Sequence, residues 1–228
     1  MAPNIIVSYD DTDNDRDALA LGRLLAVGGA ELSLAYVRHV HTADPARESL
    51  EQKSAEELLA HGAEAIGAPD APRHVVVHAS TGEGLLELAE ELGADVVVFG
   101  SEYRTAPGAV APGTSAQRLL NGGATAVAIA PADLRSHPSA RVSTIGAVGE
   151  GDEAAEETAR SLAKALDATV ADPDVQKTDL LVVASRDGAP HGRLELSAVA
   201  EYAIQTATVP VIAVPSGVPV EFGAVVAV

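Results

Sequence analysis

The sequence predicts an α/β protein with two doubly wound, parallel-sheet domains in tandem, of which the second is truncated. Three observations support this fold class. Short runs rich in Val, Ile and Leu are bounded by Gly, Pro or Asp, as buried strands of parallel sheets are. These runs alternate with stretches of helical periodicity, which is the pattern of β-α-β units. Strand motifs of the first part of the chain also recur near its end.

The first part of the chain is predicted to contain strands that alternate with helices. The predicted strands are 4–9, 31–37, 73–79, 96–99 and 126–130, and the predicted helices are 18–27, 44–66, 81–92 and 114–120. Asp and Asn residues of the run 10–17 precede the first helix, where free N–H groups and the helix dipole favour them. Alternation of this kind gives a parallel sheet with helices on both faces.

A smaller version of the same pattern follows the polar segment 132–140. This segment is predicted to be a linker because it is short and contains Pro138. The later predicted strands are 142–148, 168–170, 180–184 and 209–214, and the later predicted helices are 152–166 and 194–206. The tail 218–228 is expected to form either an edge strand or a docking arm.

The two parts of the chain correspond in sequence. The segment 96–101 matches 181–185, and 125–131 matches 209–215. The second copy is shorter because a middle helix–strand–helix segment is missing from it. The predicted domain limits are 1–134 for the complete copy and 135–228 for the shortened, degenerate copy.

The composition excludes several classes of function. The chain has no Cys, so disulfides, thiolate metal sites and Cys nucleophiles are excluded. Its formal net charge is −18 with only three Lys, which argues against nucleic acid as a partner because duplex binding needs Lys and Arg. No apolar run is long enough to span a membrane, and the start lacks a secretory leader. We therefore expect a soluble, cytoplasmic protein without a membrane partner.

A candidate anion site follows the fourth predicted strand. The strand leads into a loop rich in Gly and Pro, which closes on Gly113, Thr114 and Ser115 directly before a helix. Backbone N–H groups collect anions in such a strand–loop–helix arrangement. Gly100 and Gly113 would also let the backbone approach a phosphate closely.

Other residues fit the same site. Asp10 follows the first strand, beside the point where a doubly wound sheet reverses direction and usually binds its ligand, and its carboxylate can accept hydrogen bonds from ribose hydroxyls. Arg104 and Arg118 are nearby cations that can pair with phosphate oxygens. Thr114 and Gln117 have the spacing of a capping box, so we expect Thr114 to order the start of the helix.

At these residues the chain resembles the universal stress protein family in its tandem two-domain form. The resemblance covers about residues 3–131 of the first copy and only pieces of the second. ATP-binding members of that family carry Gly, two residues, Gly, nine residues, then Gly and Ser or Thr after the fourth strand. Gly100, Tyr103, Gly113 and Thr114 lie at this spacing, with Tyr103 in place of the second Gly.

The resemblance implies a Rossmann-like strand order of 3-2-1-4-5 and a pairing of the two domains, within the chain, through their fifth strands. It also implies that Asp10 faces adenosine and that Val37 meets adenine through its backbone. The expected ligand is ATP, or ADP or AMP, with Mg²⁺ carried in by the nucleotide. The candidate nucleotide-binding residues are Asp10, Val37, Gly100, Tyr103, Arg104, Gly113, Thr114 and Ser115.

Two residues of the loop depart from the family pattern. If the second Gly of the pattern needs a left-handed backbone, Tyr103 would cost roughly 1–2 kcal/mol there. Glu102 places a carboxylate near the expected triphosphate. In the second copy, Ala184 and Leu196 replace Gly residues of the pattern, so we expect no nucleotide there.

Two functional interpretations remain open at this point. The first is a stress-response or signalling protein that binds an adenine nucleotide without clear catalysis, although weak ATP hydrolysis is not excluded. The second is a nucleotide-independent interaction module in which Tyr103 closes the loop, and Gly100 and Gly113 only shape a tight connection. A homodimer is compatible with both interpretations.

Other motifs do not support a catalytic or metal site. The alternating acids of the run 11–17 lack the Gly and Glu of a calcium loop at the required positions. The pairs His39/His41 and His74/His78 have no evident third ligand. There is no Walker A sequence and no nucleophile-elbow pattern.

Overall fold

The computed structural model describes residues 2–39, 45–137, 141–149, 151–172 and 177–223. These residues form a nine-stranded sheet that is covered by helices on both faces. The strands are β1 Asn4–Ser8, β2 Glu31–Arg38, β3 Arg73–Val77, β4 Val96–Gly100, β5 Ala126–Ala130, β6 Thr144–Val148, β7 Thr169–Ala171, β8 Leu180–Ala184 and β9 Val211–Val214. The α-helices are α1 Asp13–Val27, α2 Pro45–Ala65, α3 Thr81–Leu92, α4 Thr114–Leu120, α5 Ala154–Leu166 and α6 Ala198–Thr206.

The strand order is β3-β2-β1-β4-β5-β9-β8-β6-β7, and the expected order 3-2-1-4-5 of the first five strands is confirmed. Neighbouring strands are parallel except at the pair β5–β9, which is antiparallel. The α/β fold is therefore as predicted. The last strand, β9, pairs with β5 as the resemblance implies for fifth strands, and this pairing makes the sheet continuous. The series β9-β8-β6-β7 repeats the order of β5-β4-β1-β2. Residues 172–179, between β7 and β8, are too few for a counterpart of α2, β3 and α3.

Apolar layers lie on both faces of the sheet. The layer under α1, α2 and α5 includes Ile5, Ile145 and Leu162, and the layer under α3, α4 and α6 includes Val97 and Ile204. Both layers thus cross the β5–β9 boundary. The strands β4, β5, β8 and β9 are buried over nearly their whole length, as the β-branched and small residues of central parallel strands require.

The first helix begins earlier than the sequence predicts. We expected the acidic run to precede a helix at residue 18, but α1 begins at Asp13. The Thr12 hydroxyl accepts a hydrogen bond from the Asp15 N–H at 3.3 Å, and the Asp15 carboxyl accepts one from the Thr12 N–H at 3.2 Å. This capping box satisfies N–H groups at the start of the helix and makes the acidic run its first turn.

The segment after β5 is packed against α1 and does not behave as a simple linker over its described part. Residues Leu134–Ser136 form a 3₁₀ turn. The buried carboxylate of Asp17, in α1, accepts hydrogen bonds from the N–H of Asp133 at 2.8 Å and of Arg135 at 2.9 Å. It also pairs with the Arg135 guanidinium at 2.9 Å. Pro138 lies outside the described residues, so the linker prediction is not tested for residues 138–140.

Two other segments differ from the prediction. The start of the last predicted helix, 194–197, is not helical, because the N–H and C=O of Leu194 bond to Gly123 and Gly122 at 2.8 and 2.7 Å. The described part of the tail packs on α5, where the N–H of Val220 donates to the Thr158 hydroxyl at 2.9 Å. This part is not a strand, and residues 224–228 lie outside the described residues.

Of the helices described, none combines the length and apolar character that crossing a membrane requires.

We predict that Asp17→Asn lowers the free energy of unfolding by about 2–3 kcal/mol, because it removes a buried charge from the Arg135 guanidinium and two N–H donors. Urea denaturation measures the change. Asp13→Asn, on the same helix but mostly exposed, should change stability by less than about 0.5 kcal/mol. Equal effects of the two substitutions would show that the contact between Asp17 and the segment after β5 does not stabilise the fold.

Candidate functional site

A cleft of about 410 Å³ lies where β1, β2 and β4 end, between the N-termini of α1 and α4. The chain leaves β1 and β4 in opposite directions across the sheet, so this is the switch point at which doubly wound folds bind ligands. The cleft collects seven of the eight candidate residues from distant parts of the chain. They are Asp10, Val37, Gly100, Tyr103, Gly113, Thr114 and Ser115.

One wall of the cleft is the end of β2. The C=O of Ala35 accepts a hydrogen bond from the N–H of Tyr9 at 2.9 Å, so Ala35 directs its backbone groups toward β1. Val37, two residues further along the strand, directs its backbone groups to the same side. Because β1 ends at Ser8, these groups of Val37 lie beyond the last strand residue of β1, where the cleft begins.

Two neighbouring carboxyl groups lie at the entrance to α1. The Asp10 carboxylate accepts a hydrogen bond from the Thr12 N–H at 3.3 Å, and the Asp10 N–H donates to the Asp15 carboxyl at 3.3 Å. Burial, and then the neighbouring Asp10 carboxyl, raise the pKa of Asp15 to about 7. The Asp15 carboxyl therefore keeps its proton up to about neutral pH and loses it above.

The buried ring of Tyr9 forms the floor beside this pair. Its O–H donates to the Asp11 carboxylate at 2.8 Å, and burial, reinforced by this bond, raises the pKa of Tyr9 to about 12. Asp11 also pairs with Arg16 at 2.9 Å, and the hydrogen bond from Tyr9 and the Arg16 guanidinium both lower the pKa of Asp11. The Asp11 carboxylate is thus engaged within the protein. Across the described ranges, no three His, Asp or Glu side chains are placed to hold a metal ion.

Gly100 is needed for the packing of α1 on β4. A Cβ atom at this position would lie 2.0 Å from the backbone oxygen of Asn14, in the first turn of α1. Real Cβ atoms do not approach a backbone oxygen so closely. Gly100 also lines the cleft, and the expectation that it lets the backbone approach a phosphate stays a prediction.

Gly113 has the space that Gly100 lacks. It precedes α4 with an ordinary φ of −72°, and a Cβ atom there would meet only the Cα of Glu102, at 4.0 Å. The predicted capping role of Thr114 is wrong, because Thr114 is the first helical residue and Gln117 instead donates through its side chain to the C=O of Pro112. No described side chain caps α4, so its first-turn N–H groups have no side-chain acceptor.

The loop between β4 and α4 places its strained residue one position later than expected. Arg104, not Tyr103, has the left-handed backbone, with a φ of 70°. The Arg104 guanidinium lies 5.2 Å from the centre of the Tyr103 ring, and Tyr103 is 75% exposed. The predicted backbone penalty at Tyr103 is therefore wrong. Arg104 was expected to line the cleft, but it is not among the lining residues.

The charged side chains that line the cleft are acidic. Its lining includes the carboxyl groups of Asp10, Asp15 and Glu102, and within the described part of the chain it includes neither Lys nor Arg. Arg118, expected beside a phosphate, instead pairs with Glu83 of α3. Phosphate contacts here would consequently depend on backbone N–H groups.

Several residues of the cleft were not among the candidates from the sequence. Tyr9, Asp15 and His39 are the ionisable ones that no part of the prediction placed there. Asp15 has a sequence signal, because Thr12 and Asp15 have capping-box spacing, which places a carboxyl beside Asp10. His39, whose Nδ1 lies 2.8 Å from the His78 C=O, reaches the cleft only because β2 and β3 are neighbours.

The second part of the chain has its own cleft beyond the ends of β6, β8 and β9. This cleft of about 380 Å³ includes Asp152, Arg186, Asp187 and Gly217. The Asp152 carboxylate accepts hydrogen bonds from the N–H of Ala154 at 2.9 Å and of Gly217 at 3.0 Å, so it closes the connection after β9. The expectation that this copy binds no nucleotide stays a prediction.

Comparisons with known proteins agree with this architecture. The model of the universal stress protein family matches residues 1–131. A universal stress protein of Archaeoglobus fulgidus superposes with a TM-score of 0.59 at 14% identity, covering 93% of this chain and 98% of that one. A putative universal stress protein of Pseudomonas aeruginosa superposes with a TM-score of 0.61 at 13% identity, covering 95% of this chain and 94% of that one. These structures show the fold alone, and no curated protein sequence matches the chain.

We predict that Gly100→Ala and Gly113→Ala differ in their effect on stability. The first should lower the free energy of unfolding by about 1–3 kcal/mol, because the added methyl group displaces the first turn of α1. The second adds a methyl group in open space and should cost less than about 0.5 kcal/mol. Chemical denaturation of the two variants distinguishes these outcomes, and a neutral Gly100→Ala would contradict the close packing of α1 on β4.

Asp15 makes stability depend on pH. Its pKa is about 7 in the fold and near 4 in an unfolded chain, so its contribution is complete below about pH 4 and is lost as the pH rises through about 7. Because Asn resembles the protonated carboxyl, Asp15→Asn should be more stable than the parent by about 2–4 kcal/mol at about pH 8, with little difference at about pH 4. Denaturation across this range measures the trend. Asp13→Asn is the exposed control, and a pH-independent difference for Asp15→Asn would refute the raised pKa of Asp15.

Proposed function

Because this chain belongs to the universal stress protein family, we propose that it is a stress-response protein that binds an adenine nucleotide without transforming it. The observation that carries the proposal is the convergence of seven candidate residues on one cleft at the switch point of the sheet. The cleft volume of about 410 Å³ falls within the range of small-molecule sites.

Each part of the nucleotide has a matching part of the cleft. Adenine would lie against the end of β2, where the backbone of Val37 offers an N–H donor and a C=O acceptor to the base edge. The ribose hydroxyls would donate to the Asp10 carboxylate. The phosphates would accept from the first-turn N–H groups of Thr114 and Ser115 and from the loop that ends at Gly113.

We propose ATP as the preferred ligand, with ADP and AMP binding through the same adenine and ribose contacts. The acidic lining disfavours a bare triphosphate, because Asp10, Asp15 and Glu102 repel its charge. Mg²⁺ carried in by the nucleotide would reduce this repulsion. Omission of Mg²⁺ should therefore weaken the binding of ATP more than that of AMP.

We further propose the division into a complete domain over residues 1–134 and a shortened repeat over residues 135–228. The repeated strand order on the two sides of the β5–β9 pair supports this division. The repeat would act as a built-in partner of the first domain. Since β9 occupies the edge of β5, a homodimer would have to use another surface.

We predict that Gly113→Val abolishes nucleotide binding and leaves the fold intact. The added side chain has room in the free protein and would enter the space proposed for the phosphates. Isothermal calorimetry with ATP, ADP and AMP measures binding, and circular dichroism checks the fold. Ala106→Val, on an exposed residue of the same loop outside the cleft, is the matched control and should bind as the parent does.

Two results would contradict the proposed site. No heat and no thermal stabilisation of the parent at about millimolar nucleotide would refute binding itself, and unchanged affinity of Gly113→Val would refute the phosphate position. Tyr103→Gly distinguishes nucleotide binding from the alternative function, a nucleotide-independent interaction module. Binding gained only in that variant would favour an interaction module whose loop Tyr103 closes, whereas equal affinity of parent and variant would favour the nucleotide-binding protein.

A further inference from the structure

A third cavity, here called the arginine groove, lies along α1 beside the ends of α2 and α5 and the 3₁₀ turn after β5. Its volume is about 680 Å³, within the range of small-molecule sites. It has no lining residue in common with the nucleotide cleft, because the two use different residues of α1. It is therefore a separate candidate site.

The body of the arginine groove is apolar. Leu19, Ile66 and Val142 are buried and form its floor. The side chain of Leu24 is half-buried on its wall, and Val27 at its end is 66% exposed. An aliphatic chain that covered these groups would remove apolar surface from water at about 25 cal/mol per Å².

The rim of the groove is basic although the protein is strongly acidic. The chain has 33 acidic and 15 basic residues, yet the described lining includes four Arg and one His and no Asp or Glu. Those basic residues are Arg16, Arg23, Arg135, Arg141 and His137. The ionisable side chains that line this groove are thus basic, although the chain as a whole is acidic.

The four arginines differ in their availability to a ligand. Arg16, Arg135 and Arg141 are paired with Asp11, Asp17 and Asp167 at 2.9, 2.9 and 3.0 Å, in that order. Arg23, in the middle of the groove-facing side of α1, is exposed and has no ion-pair partner among the described residues. A bound anion would give it one.

We propose that the arginine groove binds a single-chain aliphatic carboxylate. The chain would lie over Leu19 and Ile66 toward Val27, and the carboxylate would accept hydrogen bonds from the Arg23 guanidinium. An apolar floor with a cationic rim matches an amphipathic anion, since arginine suits carboxylates through its fork of N–H donors. The acidic remainder of the surface would repel such a ligand elsewhere.

The test is a calorimetric titration of the full chain with dodecanoate below its micelle concentration. We expect saturable binding of one molecule, and a rise in melting temperature because the ligand binds the folded state. Dodecyltrimethylammonium, which has the same chain length and opposite charge, should not bind. Saturating ATP should leave the affinity for dodecanoate unchanged, because the two sites share no residues.

Two substitutions address the two halves of the ligand. Arg23→Gln should weaken dodecanoate binding by about fivefold, the effect of losing one solvent-exposed ion pair. Val27→Asp should weaken it by at least about tenfold, because a carboxylate would face the aliphatic chain. Both side chains are exposed, so the fold should tolerate the changes. Arg160→Gln, on an exposed arginine of α5 outside the groove, is the control and should have no effect.

Several outcomes would overturn the proposal. Equal binding of the cationic amphiphile, or unchanged affinity of Arg23→Gln, would show only general affinity for apolar chains. Competition by ATP would place dodecanoate in the nucleotide cleft. A dimer in solution that dissociates in Val27→Asp would identify the groove as an interface between two copies of the chain. A melting temperature lowered by dodecanoate would indicate denaturation instead of binding.

Discussion

The antiparallel pairing of β5 with β9 is the interaction on which the rest of the structure depends. It joins Val127 to Ala213 and Ile129 to Val211, and both strands are buried along their whole length. Without it, each set of strands would expose an apolar edge with unpaired backbone groups. With it, the apolar layers on both faces continue from one part of the chain to the other. The small side chains of β5, Ala126, Ala128 and Ala130, lie on the face under α1 and allow that helix to pack close to the sheet.

This sheet positions the candidate site through α1. The helix lies so close to β4 that only Gly fits at residue 100. The Asp17 carboxylate of the helix also accepts a hydrogen bond from the segment after β5. The first turn of α1 therefore has a defined place opposite the loop that ends at Gly113. The same helix separates two surfaces of opposite charge, because its acidic N-terminus faces the cleft and its Arg23 side faces the arginine groove.

Much of the fold could be predicted because its signals are local. The apolar runs and helical periodicities located the strands and most helices, and the spacing of Gly100 and Gly113 pointed to residues that do meet at one cleft. The errors concern residues whose role depends on a neighbour. Thr114 has the spacing of a cap but is already helical, and the left-handed backbone expected near Tyr103 occurs at Arg104.

The sequence by itself determined the α/β class and the loop that closes on Gly113, because periodicity and residue type within short segments specify these features. Only the tertiary structure decided that Gly100 accommodates α1, that Arg118 pairs with Glu83, and that four arginines share one groove. Each of these facts depends on contacts between residues that are far apart in the chain. Spacing along a sequence does not specify such contacts, because they follow from the order of strands in the sheet and the side on which each helix packs.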